Sequence, residues 1–90
     1  MGIIIKADYA VVLTRPKQGT HYSLEELKSF IGGGYIELVA MRDGWLVVDE
    51  DGRRKELPYN HHATVLYRHW INTQDYIVGD AFLCKKQEID

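Results

Sequence analysis

The chain has 90 residues, enough for one domain (1–90) with a modest core, and nearly half of them are hydrophobic. Eleven basic residues against thirteen acidic give a net charge of −2. That leaves no basic excess to gather around phosphates, so direct nucleic-acid binding is not expected. The single cysteine, Cys84, has no partner for an internal disulfide, and no stretch reaches the ~20 apolar residues of a membrane span. A soluble, unprocessed cytoplasmic protein with no membrane partner is expected.

Ile3 to Lys6 and Tyr9 to Thr14 are short apolar runs, read as one bent strand or two. Arg15 to Tyr22 carries Pro16 and Gly19 and reads as a loop. Ser23-Leu24-Glu25-Glu26 is a capping box: the serine oxygen accepts from the N–H three residues on, and Glu26 reaches back to the Ser23 N–H. Leu24, Leu27, Phe30 and Ile31 then share one helical face, and Gly32-Gly33-Gly34 ends the helix. Tyr35 to Met41 alternates as a strand, Asp43-Gly44 turns, and Trp45 to Asp49 returns. Asp51-Gly52 signals a second turn, with Arg53 to Leu57 as a short polar edge strand, so 35–57 reads as a β-meander.

Asn60 caps a second helix, with Ala63, Leu66, Tyr67 and Trp70 at i, i+3, i+4 and i+7. Pro58 holds Leu57 extended and sharpens that start. Tyr76 to Cys84 reads as the last strand and Lys85 to Asp90 as a frayed polar tail. The expected fold is α+β: a mainly antiparallel sheet of about five strands, with two short helices packed on one face.

The order of motifs resembles a family. A glycine-ended helix runs into Gly33-Gly34-Tyr35-Ile36-Glu37, and a hairpin ends in Asp49-Glu50-Asp51-Gly52. Leu57-Pro58-Tyr59-Asn60, Ala63-Thr64-Val65-Leu66-Tyr67 and Ile77-Val78-Gly79-Asp80 follow. Over residues 23–84 this is similar to an uncharacterised small-domain family of bacteriophages, plasmids and other bacterial mobile elements. That family usually carries an arginine soon after the motif asparagine, where this chain has His61-His62. The resemblance implies a mobile-element accessory protein, with host antagonism as its extension.

The chemistry-bearing residues cluster at 49–64, with Asp80 beside them. Asp49 and Glu50 are either a solvated turn or carboxylates for a ribose hydroxyl or a cation. Asp80 alternates with Val78 and Phe82, where an unpaired carboxylate is costly. It is expected either at an irregularity allowed by Gly79 or held by donors such as Asn60, Thr64 or a histidine, with Asn60 coupled to it directly or through Thr64. His61, His62, His69 and Cys84 lack metal-ligand spacing, because adjacent histidines point about 100° apart on a helix. The triple glycine follows a helix rather than preceding one, so it caps and does not cradle phosphate. The aromatics Trp45, Tyr59, Tyr67, Trp70 and Tyr76 read mostly as core, with two or three available to stack on a planar base.

The reading is a non-enzymatic binding or inhibitory protein with no cofactor and no metal. Its site gathers Asp49, Glu50, Tyr59, Asn60, His61, Thr64 and Asp80, and its partner is a small molecule or a host protein. One version sequesters a nucleotide-derived defence signal: the Asn60 helix start takes phosphate, Asp49 or Glu50 the ribose, and Tyr59 the base. Homo-oligomers suit this reading, since small domains form large cavities more readily between subunits. The rivals are a hydrolase acting on a nucleotide-like substrate through Asp49, Glu50 and a histidine, and a purely protein-binding module.

Overall fold

Two apolar runs near the start of the chain fold back on one another across the turn at 7–9. The computed structural model describes residues 1–89. Strands β1 (Gly2–Ile5) and β2 (Val11–Thr14) form an antiparallel hairpin in the register Ile3↔Leu13 and Ile5↔Val11. Lys6 N–H donates to Ala10 C=O at 2.9 Å, and the Asp8 carboxylate accepts from Ala10 N–H at 3.0 Å. Tyr9 is left-handed there, with φ 77° and an exposed side chain.

Helix α1 (Leu24–Phe30) starts where the sequence places it. Ser23 Oγ accepts from Glu26 N–H at 3.1 Å, and Glu26 Oε1 accepts from Ser23 N–H at 3.0 Å. It ends in Gly32 and Gly33, φ 94° and 100°, with Gly33 N–H donating to Lys28 C=O at 2.7 Å. Strands β3 (Ile36–Ala40) and β4 (Gly44–Asp49) form the expected hairpin, closed by Met41 N–H on Gly44 C=O at 2.9 Å. Helix α2 (His61–Trp70), β5 (Ala81–Lys85) and a 3₁₀ turn (Lys86–Glu88) complete the chain.

The five strands lie in the order β2-β1-β5-β4-β3, every neighbour antiparallel. The alternation of side chains divides the core in two. Ile5, Leu46, Val48 and Ala81 pack with Ala63 of α2 and with Ile77. Val47, Phe82 and Cys84 pack with Leu27 and Ile31 of the α1 segment and with Tyr22. The helices therefore cover opposite faces of the sheet, not one. Phe82 is the largest fully buried side chain, with the Phe30 and Tyr22 rings 4.6 and 4.8 Å from its own. Burying such a ring contributes roughly 1.5–3 kcal/mol.

Four further expectations change. Residues 53–57 are not an edge strand; 50–56 coil into successive turns, with Lys55 N–H on Asp51 C=O at 3.0 Å and Leu57 N–H on Gly52 C=O at 3.0 Å. The segment Arg53 to Glu56 is charged throughout and has no apolar face to lay on a sheet, so β4 pairs with the apolar β5 instead. The last strand begins at Ala81 and not at Tyr76, because Gly79 has φ 76° and breaks the extension. The tail is docked: Glu88 is buried, accepting from Lys85 N–H at 2.9 Å and from the Met1 ammonium, and Ile89 joins the α1-side core. Asp90 lies outside the described residues. Leu24 is exposed, leaving Leu27, Phe30 and Ile31 to form the apolar face of α1.

Candidate functional site

Asn60 begins α2 as a cap, and its side chain does far more than cap. Its Oδ1 accepts from Ala63 N–H at 3.0 Å, while Nδ2 donates to Ile5 C=O and Gly79 C=O, each at 2.8 Å. Thr64 Oγ1 accepts from Ile77 N–H at 2.9 Å and donates to Ile77 C=O at 3.3 Å. Both side chains are buried, and the fold uses both amide donors of Asn60. They tie α2 to the end of β1 and to the 77–79 segment.

Asp80 does not bond to Asn60 or to Thr64. It accepts from Ala7 N–H at 3.0 Å and faces Lys6 Nζ at 3.8 Å, with its side chain 30 % exposed. Asn60 and Asp80 therefore grip the same crossing of β1 with 79–80 from different atoms. Of the two placements expected for Asp80, the irregularity at Gly79 (φ 76°) is observed, and the bond to Asn60, direct or through Thr64, is not.

Asp49 ends β4 with a side chain only 3 % exposed. Its Oδ2 meets Lys55 Nζ at 2.8 Å, and its Oδ1 accepts from Asp51 N–H at 2.8 Å, which folds the chain into the 50–56 turns. Asp49 and Asp80 both line a cleft of about 390 Å³ against Gly32, Leu57 and Pro58. Glu50 is exposed and has no side-chain partner among the described residues.

A second cleft, about 460 Å³, opens on the α2 side of the sheet. Its floor is Val39 and Val48, one wall is Glu37 and the turn carrying Glu50, and the other is Tyr67, Tyr76 and Ile77. Arg53 spans the mouth: it pairs with the Asp75 carboxylate, donates to Tyr76 C=O at 3.0 Å, and lies 4.4 Å over the Tyr76 ring. That Arg53 hydrogen bond, joined by one from Tyr76 N–H, holds the Asp75 carboxyl below its usual range. Arg54 pairs with Asp51 at 3.1 Å. Both arginines are thus committed, whereas Glu37, like Glu50, has no partner among the described side chains.

Exposed rings continue from the cleft mouth. Tyr76 lies 6.1 Å from Tyr59, Tyr59 6.5 Å from His61, His61 6.3 Å from Tyr9, and Tyr9 5.4 Å from His62. Tyr59 and His61, both singled out by sequence, stand in this row and not inside the cleft. Among the described residues no three His, Cys, Asp or Glu side chains converge as metal ligands, and no histidine lines the cleft beside α2. Burial, and then the charge of Glu88, push the Cys84 thiol up to about 11.

Sequence reasoning missed Glu37 and Arg53 as cleft residues, and it named Tyr67 and Tyr76 only among the aromatics that could stack on a base. Arg53 and Asp75 lie 22 positions apart, and no local pattern joins them. The sign that could have raised Glu37 is a lone carboxylate within an otherwise apolar strand, Ile36 to Ala40.

The geometry defines a small α+β domain with a three-layer arrangement, helix on sheet on helix, and a tyrosine-rimmed acidic cleft beside its second helix. Over residues 3–90 the chain matches the family described as domain of unknown function DUF3846, and it belongs to that family. No curated protein and no solved structure matches it significantly. No helix among the described residues is long and apolar enough to cross a membrane.

Proposed function

We propose that this protein is a non-catalytic binding protein that holds a planar, hydrogen-bond-donating small molecule, nucleoside-like in character, in the cleft between β3 and α2. The observation that carries this reading is the pairing of two unpartnered carboxylates, Glu37 and Glu50, with a tyrosine mouth stiffened by Arg53. A cleft of about 460 Å³ falls within the range of small-molecule sites. Carboxylates accept from ribose hydroxyls or exocyclic amines, and aromatic faces stack on a base.

The ligand's phosphates, where it has them, point away from this cleft, because Arg53 and Arg54 are already paired. The start of α2 does not line this cleft, and the Asn60 side chain already takes one of its free donors, the Ala63 N–H. The absence of any histidine from the lining favours holding over hydrolysis, because the hydrolytic reading needs an imidazole beside Asp49 and Glu50. In this proposal the protein works in the cytoplasm as a mobile-element accessory that sequesters a host signal with a nucleoside part.

The test combines recovery and titration. Protein purified from cells is denatured and the released small molecules are weighed by mass spectrometry; then adenosine, guanosine, cytidine, uridine and their 5′-monophosphates are titrated by calorimetry. Intact release, and at least tenfold weaker binding in Glu37→Gln and Glu50→Gln with unchanged melting, supports the reading. Turnover of a bound compound, or binding indifferent to both substitutions, overturns it.

A further inference from the structure

The sheet's first edge carries a surface that the proposed ligand site does not use. In β2, Val11, Val12 and Leu13 are 56 %, 44 % and 65 % exposed, and nothing lies beyond them in the strand order. Edge strands are normally guarded by charge, proline or a bulge. This one is apolar from Ala10 to Leu13 and has Pro16 only beyond its end. The opposite edge, β3, is guarded by Glu37.

The register fixes which backbone groups are open. Lys6 N–H donates to Ala10 C=O, and Ile4 pairs with Val12 two steps along the same ladder. In the alternation of an antiparallel pair, Val12 then faces β1, and Val11 and Leu13 turn their N–H and C=O outward. We propose that β2 pairs with β2 of a second copy of this chain, antiparallel about a two-fold axis at Val12, joining two five-stranded sheets into one of ten.

That register sets Val12 against its own copy and Val11 against Leu13 on both sides, so the four outward N–H groups meet four outward C=O groups. A two-fold axis normal to the sheet keeps each face continuous, so Val11 and Leu13 extend the α2 side and Val12 the α1 side. Charge agrees with direction. Asp8 precedes β2 and Arg15 and Lys17 follow it, all exposed, and neither Asp8 nor Arg15 has an ion-pair partner among the described residues. Antiparallel pairing brings Asp8 of one copy beside Arg15 and Lys17 of the other at both ends. Parallel pairing would set like charge on like.

Sedimentation equilibrium of the full chain between 1 µM and 1 mM, with amide exchange at both extremes, tests this. The expected result is a concentration-dependent shift to twice the 10.4 kDa chain mass, with Val11 and Leu13 amides protected only in the heavier species. Leu13→Lys, at a side chain already exposed, should abolish the shift while leaving the circular dichroism unchanged. Arg15→Asp should weaken association at least tenfold, and Asp8→Arg combined with Arg15→Asp should restore it. A monomer at every concentration overturns the proposal, as does a dimer indifferent to both Leu13→Lys and Arg15→Asp.

Discussion

Ser23 and Asn60 each stand one residue before a helix, and each accepts from a backbone N–H three residues on, at 3.1 and 3.0 Å. Beyond that shared bond their reach differs. Ser23 and Glu26 close a loop of four residues and add Lys17 N–H at 3.1 Å. Asn60 reaches carbonyls 55 and 19 residues away and is entirely buried. One cap steadies a helix of seven residues; the other is a rivet through the middle of the fold. The same local signal in sequence therefore carries quite different energetic weight, and the difference lies in whether the side chain has donors to spend on distant backbone.

The sharpest way to break that comparison is Asn60→Ala. It removes a cap worth about 1 kcal/mol and strips the side-chain donors from two buried carbonyls at about 1–3 kcal/mol each. A loss of about 3 kcal/mol or more is expected, against a total of about 5–15 kcal/mol for a domain. Asn60→Asp should be no better, because it keeps the acceptor and discards both donors. Urea melts check both, and a loss below about 1 kcal/mol for either would reduce Asn60 to an ordinary cap.

These caps, the Asp43-Gly44 turn and the glycine-ended helix were legible because each is written within a few residues. Membership of a small uncharacterised family was legible from the order of such motifs. What escaped the sequence depends on partners far along the chain. Nothing near Arg53 says that its charged run coils up instead of pairing with β4, because the choice is made by β5, whose Phe82 and Ala81 have more apolar surface to bury. The irregularity that Gly79 allows beside Asp80 was expected, but the partner of that carboxylate, Ala7 N–H, lies 73 positions away and was not. The two helices were assigned to one face because short loops hide which side of a sheet the chain crosses. Among the proposed site residues, the structure brings Asp49 and Asp80 to one cleft and Tyr59 and His61 to one row of rings, while Asn60 and Thr64 are spent on the fold.

A smaller effect sharpens the contrast between rivet and local loop at the cleft's own wall. A methyl group on Gly34 would collide with Asp49 Oδ2 and with Lys55 Nζ. Gly34 is not in the left-handed region, so the objection to a side chain is contact and not backbone strain. Gly34→Ala should cost about 1–3 kcal/mol, as overpacking does. It should also speed amide exchange at Asp51, whose N–H Asp49 Oδ1 accepts, more than exchange at Ala63 under Asn60. Equal loosening at both amides would mean that the 50–56 turns are not a separate unit.

The smallest effect belongs to the capping box, and it is read best through pH. The Ser23 N–H bond, joined by that from Lys17 N–H, holds the Glu26 carboxyl below its ordinary value of 4.5 against the opposing pull of burial. A carboxyl depressed in the folded state stabilises fully above its unfolded value, and that contribution fades as pH falls through the folded one. Between neutrality and about pH 5 the wild type should therefore exceed Glu26→Gln by a constant margin, which narrows as the pH drops below 4.5. Asp75 and Glu88 are depressed as well, so both proteins lose stability in acid and only the difference between them reports Glu26. Ser23→Ala should cost about 0.5–2 kcal/mol at neutral pH. It should leave part of the acid-sensitive margin in place, because the Ser23 and Lys17 backbone donors remain. A margin that did not change with pH would show that the charge of Glu26 adds nothing to the bonds it accepts from Ser23 N–H and Lys17 N–H, which a neutral amide oxygen can also accept.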